Sequence, residues 1–165
     1  MSRAFVKEND VEHAGIDIPE RPLSDEPNYV TPRGLKLLNQ TIDDLEKERE
    51  ALNDKKDDPM VRQKVAVIER DMRYFAARIE SAILTNHKEE NPSHVLFGTK
   101  VTAEDEEGDL LTFEIVGEDE ANIHEGRVSY LSPLAEALLG GAIGDEVLWE
   151  KPLGNSYLTI QKISY

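Results

Sequence analysis

Carboxylates carry most of the chemistry open to this sequence. Asp54, Asp57 and Asp58 cluster just before Pro59, with Lys55 and Lys56 between them. Such a group could approach a divalent cation or a basic surface, although aspartate is also an ordinary choice in turns and before proline. A second group, Glu104, Asp105, Glu106, Glu107 and Asp109, resembles a calcium loop only in its acidity. Ligand spacing closed by a bidentate glutamate is missing, so a solvated hairpin turn around Gly108 is expected. His13, His87, His94 and His124 stand in separate loop-like segments without the spacing of zinc ligands. Cysteine is absent, which removes thiolate metal sites, disulfides and cysteine nucleophiles. No metal site and no cofactor are expected.

The elements that position these residues follow from charge and periodicity. The 165 residues carry 34 Asp plus Glu against 19 Lys plus Arg, a formal net charge of -15. A surface that acidic repels phosphate backbones and disfavours direct nucleic-acid binding. No apolar run approaches the roughly 20 residues of a membrane span. The opening MSRAFVKENDVEH has no signal-peptide core, so a cytoplasmic protein is expected. Residues 1–30 hold 3 basic and 7 acidic side chains, residues 31–85 hold 11 of each, and residues 86–165 hold 5 and 16. Three electrostatic characters predict three units.

Residues 1–28 are acidic, contain Pro19, Pro22 and Pro27, and offer few large apolar groups. They read as a mobile or loosely docked arm. Residues 29–85 read as a helical hairpin. Thr31-Pro32 is a helix start, a capping hydroxyl followed by a proline where no N–H is needed. Leu35, Leu38, Ile42, Leu45 and Leu52 mark one apolar seam, with Arg49 in its skipped position. Val61, Val65, Ile68, Met72, Phe75, Ile79 and Ala82 mark another. Alternating spacings of three and four are those of a coiled coil. Pro59 breaks the run and predicts a tight turn near residues 54–59, so the helices fold back antiparallel. Arms of roughly 24 and 26 residues would be about 35–40 Å long. A hairpin that satisfies its own seam predicts a monomer.

Residues 86–94 read as a linker, and residues 95–165 as a compact antiparallel sheet with one short helix, α+β overall. Strands are expected at 95–97, 99–103, 110–116, 126–131, 146–151 and 157–163. Ser132 caps a helix over 133–139 that Gly140-Gly141 ends. Trp149 is expected in the sheet core.

With these residues in place, the chain resembles the GreA/GreB transcript-cleavage and elongation factors of bacterial RNA polymerase. The resemblance begins at Val30-Thr31-Pro32-Arg33-Gly34-Leu35 and continues through Ile68–Tyr74. It then follows Phe97-Gly98, Ile115-Val116-Gly117, Asp119-Glu120, Ser132–Gly140, Gly144-Asp145 and Pro152. It implies an FKBP-like C-terminal domain that docks outside the secondary channel, on the tip of a coiled coil of the β′ subunit. Ser132, Pro133 and Leu134 are the docking candidates it suggests. The hairpin would enter the channel with Asp54, Asp57 and Asp58 leading. Prolyl isomerase activity, which an FKBP-like fold could suggest, is disfavoured because only 6% of residues are aromatic.

One departure qualifies the match. Cleavage-competent members carry a Gly-Asp-x-Ser-Glu-Asn-Ala-x-Tyr tip whose acids help hold the polymerase magnesium, and this chain lacks it. Its arms are also shorter by about two turns each, a Rnk-like departure, so the tip would fall about 10 Å short. Magnesium needs oxygen within about 2.1 Å. These readings predict a regulator that acts by occupying the channel and is not itself an enzyme. The alternatives are a cleavage factor using the tip aspartates and a coiled-coil adaptor pairing with another chain.

Overall fold

The computed structural model describes residues 17–86 and 91–165. Residues 1–16 of the expected arm, and part of the expected linker, lie outside them. The chain divides into two compact units. One contains Asn39–Glu80 and the described residues up to Asp25; the other contains Glu26–Leu38 and Ser81–Tyr165.

In the first unit two helices run antiparallel. Helix α1 spans Pro32–Ala51, its first turns belonging to the second unit, and α2 spans Pro59–Glu80. A short 3-10 turn at Asn53–Lys55 joins them. Their 20 and 22 residues give lengths of about 30 and 33 Å, shorter than the arms read from the seams. Lys64 Nζ lies 2.8 Å from Glu48 Oε1. Further from the turn, Ile42 and Met72 share one groove. Those pairings place the helices side by side in opposite directions. Leu38, Val65 and Ile68 are buried. Leu35, Ile42, Leu45, Leu52, Val61, Met72, Phe75 and Ile79 are partly covered, as is Arg49. The second helix stops at Glu80, because Ile83–Leu84 forms a strand, β2, parallel to β1 at Tyr29–Val30.

The second unit is built on a five-stranded sheet. Its strands are β3 (Lys100–Glu104), β4 (Leu110–Val116), β5 (Arg127–Ser129), β6 (Glu146–Trp149) and β7 (Ser156–Ser164), in the order β5-β4-β3-β7-β6. Alternation in β3 buries Val101 and Ala103, and in β7 Leu158 and Ile160. These meet Leu134, Ala135 and Leu138 of α3, Pro133–Leu138, in one core. Trp149 is half-buried against that core, its ring 6.1 Å from Phe113 in edge-to-face contact.

Two local expectations are corrected. The sheet is not antiparallel throughout, because β5 pairs parallel to β4; the chain between them makes a 3-10 turn at Ile123–Glu125 and re-enters in the same direction. Residues 95–97 are not a strand. Val95 instead exchanges backbone hydrogen bonds with Gly140 and Gly141 at the end of α3, and Gly98, at φ 84°, turns the chain into β3.

Candidate functional site

The aspartates between the helices sit at an exposed tip. Asp54 lies in the 3-10 turn, and Asp57 and Asp58 follow it. Asp58 Oδ1 accepts from the Met60 N–H at 2.9 Å, satisfying one of the free donors at the start of α2. Arg62 closes the turn from behind, its Nη1 donating to the Lys56 carbonyl at 3.2 Å and to the Asp57 carbonyl at 3.3 Å. One aspartate thus does structural work, while Asp54 and Asp57 present carboxylates outward from the end of a rod.

The docking trio is split by burial. Ser132 caps α3, its Oγ accepting from the Ala135 N–H at 3.2 Å and donating to the Ser129 carbonyl at 2.6 Å. Pro133 is exposed at the first helical position. Leu134, 3% exposed, belongs to the core, so it can support a docking surface but not form one.

A polar cluster in the second unit holds the beginning of α1, and the residue types alone did not mark it as a site. Glu120 is 5% exposed. Its Oε2 accepts from the Thr31 hydroxyl at 2.6 Å, and its Oε1 from Arg33 Nε at 2.6 Å. Arg33 reaches further, Nη2 donating to Glu114 Oε1 at 2.7 Å. Thr31 Oγ1 also accepts from the Gly34 N–H at 3.0 Å, so one hydroxyl caps the helix and ties it to Glu120. Burial opposes the charge on Arg33, but its hydrogen bonds to Glu114 and Glu120 outweigh it and hold the pKa above the ordinary arginine value. Gly34 fits closely here, since a Cβ would stand 2.6 Å from Glu120 Oε2. The one signal was the recurrence of Thr31-Pro32-Arg33-Gly34 and Asp119-Glu120 in the same resemblance.

Beside this cluster, Tyr29, Phe97 and Tyr130 form a ring triangle with centroids 5.5–5.9 Å apart. Tyr130 donates its hydroxyl to the Pro27 carbonyl. Polar and aromatic contacts together seat residues 27–34 on the sheet domain.

In the acidic turn, Asp105 Oδ1 accepts from the N–H groups of Glu107 and Asp109 at 3.0 and 2.8 Å, and Gly108 takes φ 87°. That carboxylate is organising a turn. Among the described residues no group of three or more His, Cys, Asp or Glu is arranged to hold a metal ion. No helix there is long and apolar enough to cross a membrane.

Residues 89–165 match the family model described as transcription elongation factor, GreA/GreB, C-term. The chain is 34% identical over 151 residues to transcription elongation factor GreA of Vibrio cholerae, covering 82% of this chain and 96% of that one. It is 31% identical over 152 residues to transcription elongation factor GreB of Haemophilus influenzae, covering 84% and 96%. Among solved structures it is similar to a GreA/GreB elongation factor from Nitrosomonas europaea, with a TM-score of 0.42 and 21% identity, covering 84% and 99%.

These relatives correct one expectation. A protein with no enzymatic role does not accord with likeness to GreA and GreB factors along most of the chain. The activity that this likeness implies is stimulation of transcript cleavage, which is hydrolysis.

Proposed function

Because the chain belongs to the GreA/GreB family of transcription elongation factors, we propose that it docks on bacterial RNA polymerase at the secondary channel and modulates elongation or initiation by occupying that channel. The sheet domain would grip the β′ coiled coil through the surface around Ser132 and Pro133, and the helical hairpin would enter. It would act as a monomer in the cytoplasm.

One observation carries this reading: two antiparallel helices end in a narrow, exposed, acidic turn. A rod of this kind encloses no pocket of its own but can enter one in a partner. Its three aspartates, offset in part by the exposed Lys55 and Lys56, leave an end that suits a basic lining, where opposite charge steers approach.

A second reading is favoured by the outward position of Asp54 and Asp57, and it assigns the tip aspartates to the family's cleavage reaction. One assay separates the two. A backtracked elongation complex is given the protein, alone and with a full-length cleavage factor as competitor. Occupancy predicts displacement by the competitor and altered pausing. The second reading predicts shortened RNA, abolished by Asp57→Ala with Asp58→Ala. Binding that survives saturating competitor overturns the shared site. A dimer mass in solution would favour an adaptor.

A further inference from the structure

We propose that residues 17–25 are an autoinhibitory strap on the helical hairpin, limiting how far it enters a partner until the strap is displaced. The inference rests on the insertion reading above.

Four neighbouring residues of α2 grip this segment. Arg73 Nη2 donates to Glu20 Oε1 at 2.5 Å, and Arg73 Nε to Glu20 Oε2 at 3.1 Å. The Arg21 guanidinium lies 3.8 Å from the Tyr74 ring centroid and 5.1 Å from that of Phe75. Arg21 Nη1 is also 3.6 Å from Asp71 Oδ1. Pro19 and Pro22 bracket the two charged residues; Pro22 keeps Arg21 out of helical geometry, because proline restricts the residue before it.

Position gives the strap its consequence. Asp71 is 12 residues beyond Pro59 at the start of α2, about 18 Å along the helix. Among the described residues, the contacts of a third segment with the rod begin at that level. A channel fitted to two helices therefore meets the strap when about 18 Å has entered.

The grip suits a releasable part. The Glu20 and Arg73 side chains are 61% and 57% exposed, and exposed ion pairs are weak and salt-sensitive. Apolar cover is small: Ile18 is only partly covered and Leu23 is 53% exposed, so little buried surface holds the segment in place.

The test uses the full chain and RNA polymerase. Strap seating is read in the free protein from the ring-current shift of the Arg21 methylene protons over Tyr74. Arg73→Glu should abolish that shift, and Glu20→Arg with Arg73→Glu should restore it. In titrations with polymerase, Arg73→Glu and the pair Glu20→Ala, Arg21→Ala should bind several-fold tighter than wild type, with the reversed pair returning to wild type. The advantage should shrink as salt rises and releases the wild-type strap. Equal or weaker binding by the released variants overturns the proposal. If no form binds polymerase while the ring shift responds as described, the insertion reading has failed, and autoinhibition falls with it.

Discussion

The Thr31 hydroxyl donates to Glu120 Oε2 at 2.6 Å, joining residues 89 positions apart in a buried bond. It makes the cap of the first helix depend on a loop of the sheet domain. Glu120→Ala should therefore strip both the partner of Thr31 and that of Arg33. The expected loss is about 1–3 kcal/mol, kept modest because the Arg33 side chain is 46% exposed. Urea unfolding followed by circular dichroism checks it. A loss below about 0.5 kcal/mol would mean that water replaces these bonds freely.

Gly117 should tolerate no side chain. A Cβ there would stand 2.3 Å from the Tyr29 carbonyl oxygen, and backbone already paired with β2 cannot step aside cheaply. Gly117→Ala should cost about 1–3 kcal/mol. Gly34→Ala should cost less, because its Cβ meets the end of a side chain, that of Glu120. Thermal unfolding of the two variants gives the order; a reversed order would place the rigid element at Glu120.

Asp57 and Asp58 should separate by stability before any activity is measured. Asp58 accepts the Met60 N–H, so Asp58→Ala should destabilise the hairpin by about 1 kcal/mol. Asp57→Ala, on an exposed carboxylate, should fall within about 0.5 kcal/mol of wild type. Denaturant midpoints measure both. An RNA-cleavage defect in Asp57→Ala would then belong to chemistry, whereas one confined to Asp58→Ala would not.

Strap seating should fade in acid. Arg73, through its hydrogen bond, holds the Glu20 pKa below the ordinary 4.5; burial opposes this, and the Arg73 and Arg70 charges reinforce it. A carboxylate depressed in the folded state contributes fully above its unfolded pKa, and the contribution is lost as pH falls through the lower folded value. The Arg21 ring shift should hold steady at neutral pH and collapse below about 4.5. A shift that survives full protonation of the carboxylates, at about pH 2, would assign the seating to Arg21 stacking alone.

Ser132→Ala should remove the cap of α3 and cost about 0.5–2 kcal/mol, since its Oγ holds the Ala135 N–H and binds the Ser129 carbonyl. Pro133→Ala should leave stability nearly unchanged and weaken polymerase binding, because Pro133 is the exposed member of the pair. Unfolding midpoints and binding titrations together distinguish a cap from a contact.

Features governed by neighbours in sequence were legible. Thr31-Pro32 and Ser132-Pro133 mark the starts of α1 and α3, and Pro59 the break between α1 and α2, because caps and proline constraints act within one turn. Strand β4 matched its expected bounds, its β-formers being flanked by a turn and a glycine. The β1–β2 pair was not legible, as two residues a side are too few to show a period. Glu120 reads as one more acid in Gly-Glu-Asp-Glu until folding brings Thr31 and Arg33 to it. Leu134 follows an exposed proline, and only the packed helix shows that it turns inward. The grip on Glu20 and Arg21 comes from isolated side chains, and such contacts leave no periodic trace.

The parallel pairing of Tyr29–Val30 with Ile83–Leu84 means that the chain departs and returns through adjacent gates, heading the same way. Between them, Asn39–Glu80 belong to a compact unit of their own, a cassette. Matched heptads could be added to or cut from its two limbs without disturbing either gate, so span becomes a dial that insertions and deletions can set.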